Sequence, residues 1–84
     1  MRPALLRTIE LLGSNFYGLA TAEQLSSKMG INKSVVSGYL ASLALHGLVE
    51  RKYNHTSAPG RYIFAITGLG EKLLADMKSR ADSG

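Results

Sequence analysis

Apolar residues return every three or four positions through most of the chain and alternate over one short stretch in its second half, which predicts helices with a small sheet. From about Pro3, Leu5, Ile9 and Leu12 repeat at i, i+4 and i+7 with Leu6 beside them. Proline suits a first helical turn, where its missing N–H is not needed. Gly13-Ser14-Asn15 is expected to stop this helix, and Phe16-Tyr17-Gly18-Leu19 reads as a small extended piece. Thr21 then caps a second helix with Gln24 three residues on, the spacing of a capping box. Ala22, Leu25 and Met29 share its apolar face, and Gly30 ends it. Ile31 is expected to point inward, and Asn32 caps a third helix.

The third helix has two contrasting faces. Val36, Leu40 and Leu43 form an apolar stripe flanked by Tyr39. Opposite lie Ser34, Ser37, Gly38 and Ala41, all small, with Val35 and Ser42 at the edge and Lys33 at the start. Gly38 lowers helix propensity by about 1 kcal/mol relative to alanine, which calls for a local reason. His46 can interact with the helix dipole, and Gly47 is a natural helix terminator. Leu48 to Tyr53 and Arg61 to Ile66 then read as two strands, with alternation clearest at Tyr62, Phe64 and Ile66. Asn54 to Gly60 between them is turn chemistry throughout. Thr67 caps a last helix carrying Leu69, Leu73 and Met77, widened by Leu74, with fraying expected from about residue 80.

At 84 residues the chain is expected to form one domain, 1–84, with a single small core. It has no cysteine, which removes disulfides, Cys-zinc sites and a thiol nucleophile. No apolar run approaches the roughly 20 residues of a membrane-spanning helix. Met1 to Arg7 lacks the apolar segment and cleavage site of a signal peptide, so a soluble cytoplasmic protein is expected.

The net charge of +4 is unevenly placed. Lys28, Lys33, Arg51, Lys52 and Arg61 face only Glu50 in the middle of the chain, whereas the basic and acidic residues outside that window cancel. A localised basic excess suits an anionic partner, most commonly nucleic acid, although a solvated basic surface without a partner has the same charge.

The order helix, short strand, helix, tight turn, helix, hairpin, helix is that of a winged helix-turn-helix, mainly α with a small β-sheet (α+β). Thr21-Ala22-Glu23-Gln24-Leu25-Ser26 with Gly30-Ile31-Asn32-Lys33-Ser34-Val35-Val36-Ser37 resembles the helix-turn-helix of bacterial MarR-like and ArsR-like regulators. Leu40-Ala41-Ser42-Leu43, the run His46 to Arg51, and Thr67-Gly68-Leu69-Gly70-Glu71-Lys72-Leu73-Leu74 are similar to the segments that follow in those families. The resemblance spans roughly Thr21 to Leu74. The helix-turn-helix part is fairly specific for the fold and weakly specific for one family. Two positions depart from the MarR-like pattern. Asn54-His55-Thr56 stands where the wing often has Asp-x-Arg, and Gly38 follows Ser37 where arginine is common.

An anchored third helix can present its far face to the DNA major groove. The expected contacts on it are Asn32, Lys33, Ser34, Val35, Ser37 and Gly38. Serine hydroxyls can meet phosphates or base edges, Val35 a thymine methyl, and Lys33 a phosphate or guanine. Ala41 offers close approach only. The hairpin is the expected wing, with Arg51, Lys52 and Arg61 on its strands and Asn54, His55 and Thr56 at its tip, and the resemblance implies that it tracks the backbone or the minor groove. No catalytic, metal or cofactor site is expected. The two histidines have no cysteine or carboxylate pair beside them, there is no Gly-x-Ser-x-Gly, and no phosphate-binding glycine loop carries a lysine.

The function expected is therefore a non-enzymatic, sequence-specific transcriptional regulator of double-stranded DNA, cytoplasmic and nucleoid-associated. A homodimer through the terminal helices, Pro3 to Leu12 and Leu69 to Arg80, would match two half-sites about 34 Å apart. Leu6, Leu11, Leu74 and Met77 are the candidate seam. The alternative, for which the mostly uncharged third-helix face argues, is a winged-helix protein-interaction module or adaptor without DNA binding, and a third reading is a DNA-architectural or replication-initiation role without sequence preference.

Overall fold

The computed structural model describes residues 2–54 and 61–83. Helix α1 spans Pro3–Asn15, strand β1 Leu19–Ala20, helix α2 Ala22–Met29, helix α3 Lys33–Leu45, strands β2 Val49–Asn54 and β3 Arg61–Ile66, and helix α4 Gly68–Ser83. Four helices pack around a three-stranded antiparallel sheet of order β1-β3-β2.

Helix α1 runs through Gly13-Ser14-Asn15 instead of stopping there. Gly13 marks a close approach, because a Cβ at that position would collide with the Leu74 side chain of α4. The chain turns two residues beyond the helix, where Tyr17 and Gly18 take φ of 55° and 85° and the Gly18 N–H donates to the Leu12 carbonyl at 2.8 Å. Strand β1 is accordingly only two residues long.

The helix-turn-helix forms as its caps dictate. The Gln24 N–H donates to Thr21 Oγ1 at 3.1 Å and the Thr21 N–H to Gln24 Oε1 at 2.9 Å, a complete capping box. Gly30 is left-handed at φ 68° and donates to the Ser26 carbonyl. Ile31 does not turn inward. It is 36% exposed, and it is its carbonyl that is tied down, accepting the Ser26 hydroxyl at 2.5 Å. With one residue between the helix-ending glycine and the Asn32 cap, the backbone bonds settle the geometry and the side chain is left at the surface.

Helix α3 is anchored by Val36, Leu40 and Leu43, all 0% exposed, against a core of Leu5, Ile9, Leu12, Leu25, Leu48, Val49 and Phe64. It ends in a Schellman motif, with Leu48 N–H donating to the Leu43 carbonyl and Gly47 N–H to that of Ala44. The Thr67 hydroxyl donates to the Gly47 carbonyl at 2.6 Å and accepts the Gly70 N–H at 3.1 Å. One side chain thus caps α4 and fastens it to the end of α3.

Along α4, Leu73 and Leu74 pack on the core, but Leu69 is 56% exposed and is not part of that stripe. Its place in the first turn carries it beside Gly47 at the surface. The helix is continuous from Gly68 to Ser83.

Candidate nucleic-acid interface

Burial of the apolar stripe turns the other side of α3 outward. Asn32, Lys33, Ser34, Val35, Gly38 and Ala41 are exposed, and Ser37 and Ser42 are half-buried. Val35 reaches 43% exposure, a large apolar side chain in the first turn beside Lys33 and the small residues Ser34, Gly38 and Ala41.

The cap fixes what the first turn can offer. Asn32 Oδ1 accepts both the Ser34 N–H and the Ser34 hydroxyl, each at 2.8 Å. The amide oxygen is thereby engaged, which leaves the Asn32 NH₂ facing away as a donor. With its proton committed to Asn32, Ser34 Oγ presents lone pairs to an incoming group. It is better placed to accept from a base amino group than to donate to a phosphate.

Lys33 Nζ pairs with Glu23 Oε1 at 3.0 Å, both side chains about half exposed. Glu23 lies outside the basic window of the sequence, yet the fold sets it against that window's helical end. The sequence separation of charge therefore overstates the local excess around Lys33.

The wing separates residues that are adjacent in sequence. Register pairs Val49 with Ile66, Arg51 with Phe64 and Tyr53 with Tyr62, so these six share one face. Lys52 pairs with Ile63 and lies on the other face, with Glu50 Oε2 at 3.9 Å from its Nζ. Only Arg51 of the two lines the open groove of about 830 Å³ between α3, the start of α2 and the sheet. Its guanidinium lies over the Tyr62 ring, 4.4 Å from the centroid, and Tyr53 meets Tyr62 edge-on at 5.2 Å. His55 and Thr56 lie outside the described residues, as do the side chains of Asn54 and Arg61; the backbones of Asn54 and Arg61 are paired as the last rung of the hairpin.

The groove brings together Lys33, Ser37 and Arg51 from the expected set and adds Thr21, Glu23 and Tyr62, which sequence reasoning did not place there. Parity along β3 was the available signal for Tyr62, since it shares the alternation of Phe64 and Ile66. Among the described residues no cluster of His, Asp and Glu could hold a metal ion, and no helix is long and apolar enough to cross a membrane.

These elements define a winged helix-turn-helix of the α+β class: a capped helix pair, a β-hairpin wing and a closing helix. No protein-family model and no curated protein matches the chain. Solved structures do. The chain is similar to a MarR family protein from Bacillus stearothermophilus (19% identity, TM-score 0.81, covering 99% of this chain and 55% of that one). It is also similar to a probable transcriptional regulator from Pseudomonas aeruginosa (18%, TM-score 0.83, 99% and 60%). A third is a MarR family transcriptional regulator from Rhodococcus sp. RHA1 (23%, TM-score 0.78, 99% and 56%). At these identities the likeness is one of fold. The chain spans between 55% and 60% of the length of those three structures.

Proposed function

We propose that this chain is a sequence-specific double-stranded DNA-binding transcriptional regulator, acting as one winged-helix unit and not as an enzyme. Helix α3 enters the major groove, and the β2–β3 hairpin lies on the backbone or in the minor groove. The observation that carries this is the division of α3. Val36, Leu40 and Leu43 are fully buried, while Ser34, Val35, Gly38 and Ala41 stand exposed with nothing of the described chain covering them. A helix held by one side and bare on the other is what major-groove docking requires. The regulators with the same fold support this reading.

In it, Lys33, Arg51, Lys52 and Arg61 meet phosphates, and Asn32, Ser34, Val35, Ser37 and Gly38 approach base edges. Asn54, His55 and Thr56 form the wing's contact. Specificity comes from a homodimer joined through α1 and α4, where Leu6, Leu11, Leu74 and Met77 are each half-buried and so retain surface for a second copy. The protein works in the cytoplasm at the nucleoid and needs no cofactor.

Selection from a random duplex pool, followed by footprinting on the recovered sequence, tests the reading. A protected site with a steep fall in affinity as salt rises is expected. Recovery of no preferred duplex overturns it.

One observation favours a different reading, a protein-interaction module. The bare face of α3 carries no unpaired cation, because Lys33 is held by Glu23. A protein partner held by apolar contacts would bind with little salt dependence, which separates the two.

A further inference from the structure

We infer that Tyr62 is a positioning residue for nucleic-acid binding: its ring holds the Arg51 guanidinium at the groove between α3 and the wing, where it receives a backbone phosphodiester. The inference rests on the duplex-binding role proposed above and assigns a task to a residue that role leaves unused.

The geometry follows from the hairpin register. Arg51 pairs with Phe64, so Tyr62 is its diagonal neighbour on the same face, within reach of a long side chain. The guanidinium carbon sits 4.4 Å from the ring centroid, inside the range of cation–π attraction. Tyr53, the register partner of Tyr62, meets the ring edge-on at 5.2 Å and braces it. The tyrosines are 47% and 49% exposed, so neither is needed to fill the core.

Among the described residues, Arg51 differs from Lys33 and from its sequence neighbour Lys52, which lies on the other face of the wing. Lys33 is paired with Glu23 and Lys52 lies near Glu50, whereas no carboxylate is within ion-pairing distance of Arg51. An aromatic face restrains a guanidinium without occupying the edge N–H donors that grip a phosphate. Arg51 is therefore oriented and still has its donors available. Holding it in place lowers the entropy lost when the phosphate arrives.

The test is a double-mutant cycle on the duplex recovered by selection, read as dissociation constants at two salt concentrations. Tyr62→Phe keeps the ring and should bind like the native chain. Tyr62→Leu should weaken binding roughly two- to five-fold, the size of an exposed cation–π contact. In an Arg51→Ala background the same change should do nothing further. In the free protein, the Arg51 side-chain protons should be shifted by the ring current in the native chain and in Tyr62→Phe, and lose that shift in Tyr62→Leu. Tyr62→Thr, a good strand former, repeats the measurement if leucine perturbs the sheet. An equal loss in the Arg51→Ala background, or no loss from Tyr62→Leu, overturns the inference while leaving duplex binding intact. A native chain that shows the ring-current shift but binds no duplex overturns the functional reading, and the inference with it.

Discussion

Lys33 Nζ lies 3.0 Å from Glu23 Oε1, so the first turn of α3 is tied to the first turn of α2 by an exposed ion pair. Such pairs contribute between about 0.2 and 1 kcal/mol to stability. The greater effect falls on a polyanion, which meets a lysine already neutralised and a carboxylate beside it. Glu23→Gln is expected to leave the melting temperature nearly unchanged and to tighten duplex binding roughly two- to five-fold at low salt. Fluorescence anisotropy on labelled duplex at two salt concentrations reads this directly, and weaker binding would contradict it.

Gly38 has no neighbour within 4 Å of where a Cβ would stand, so the protein's own packing does not require a glycine there. Gly38→Ala is therefore expected to stabilise the free chain by about 1 kcal/mol through helix propensity. For a domain of this size that corresponds to a rise of about 4–8 °C in melting temperature. On the proposed reading the same methyl group meets the duplex, and affinity falls. Gly68→Ala, also in open space but at the start of α4, is the control: its affinity should not change.

Arg51 and Lys52 are neighbours in sequence on opposite faces of the wing. Arg51→Ala is expected to weaken duplex binding about ten-fold, as for a lost charge-assisted bond, and to reduce the salt slope by about one. Lys52→Ala should do less on both counts, since Lys52 does not line the groove. Lys33→Ala and Arg61→Ala should each weaken binding with the fold intact. Unchanged affinity in all of these variants would remove the electrostatic part of the reading.

Leu40 is fully buried in the stripe that anchors α3. Leu40→Ala should cost about 2–5 kcal/mol, a large share of the stability of a domain this small. Urea denaturation followed by circular dichroism measures it. A loss below about 1 kcal/mol would mean that the helix is not held as described.

Thr67 joins two helix ends through one hydroxyl, donating to the Gly47 carbonyl and accepting the Gly70 N–H. Thr67→Val preserves the shape and removes both bonds, with an expected cost of about 1–2 kcal/mol. Thr67→Ser should retain most of the stability in the same denaturation experiment.

Local rules made much of this fold legible. The Thr21–Gln24 capping box, the left-handed Gly30, the Asn32 cap and the Val36–Leu40–Leu43 stripe each depend on residues a few positions apart, and each stands where sequence put it. Distant partners decided the rest. Gly13 reads as a stop signal until Leu74 is seen pressing against it, and Ile31 reads as core until its carbonyl is seen bound to Ser26. The candidate site divides in the same way. The bare face of α3 follows from helical periodicity, but the Glu23–Lys33 pair spans ten residues and two helices, and the Arg51–Tyr62 contact depends on a hairpin register that no run of residues states.

The hydroxyl of Thr67 gives the C-terminal end of α3 and the start of α4 a common fastening. Gly47, the residue just past the C-cap of α3, is thereby one point at which the long C-terminal rod is fastened to that helix. On the proposed reading, a second copy that takes hold of that rod therefore adjoins α3 at its C-terminal end, away from the turn that carries Ser34 and Val35.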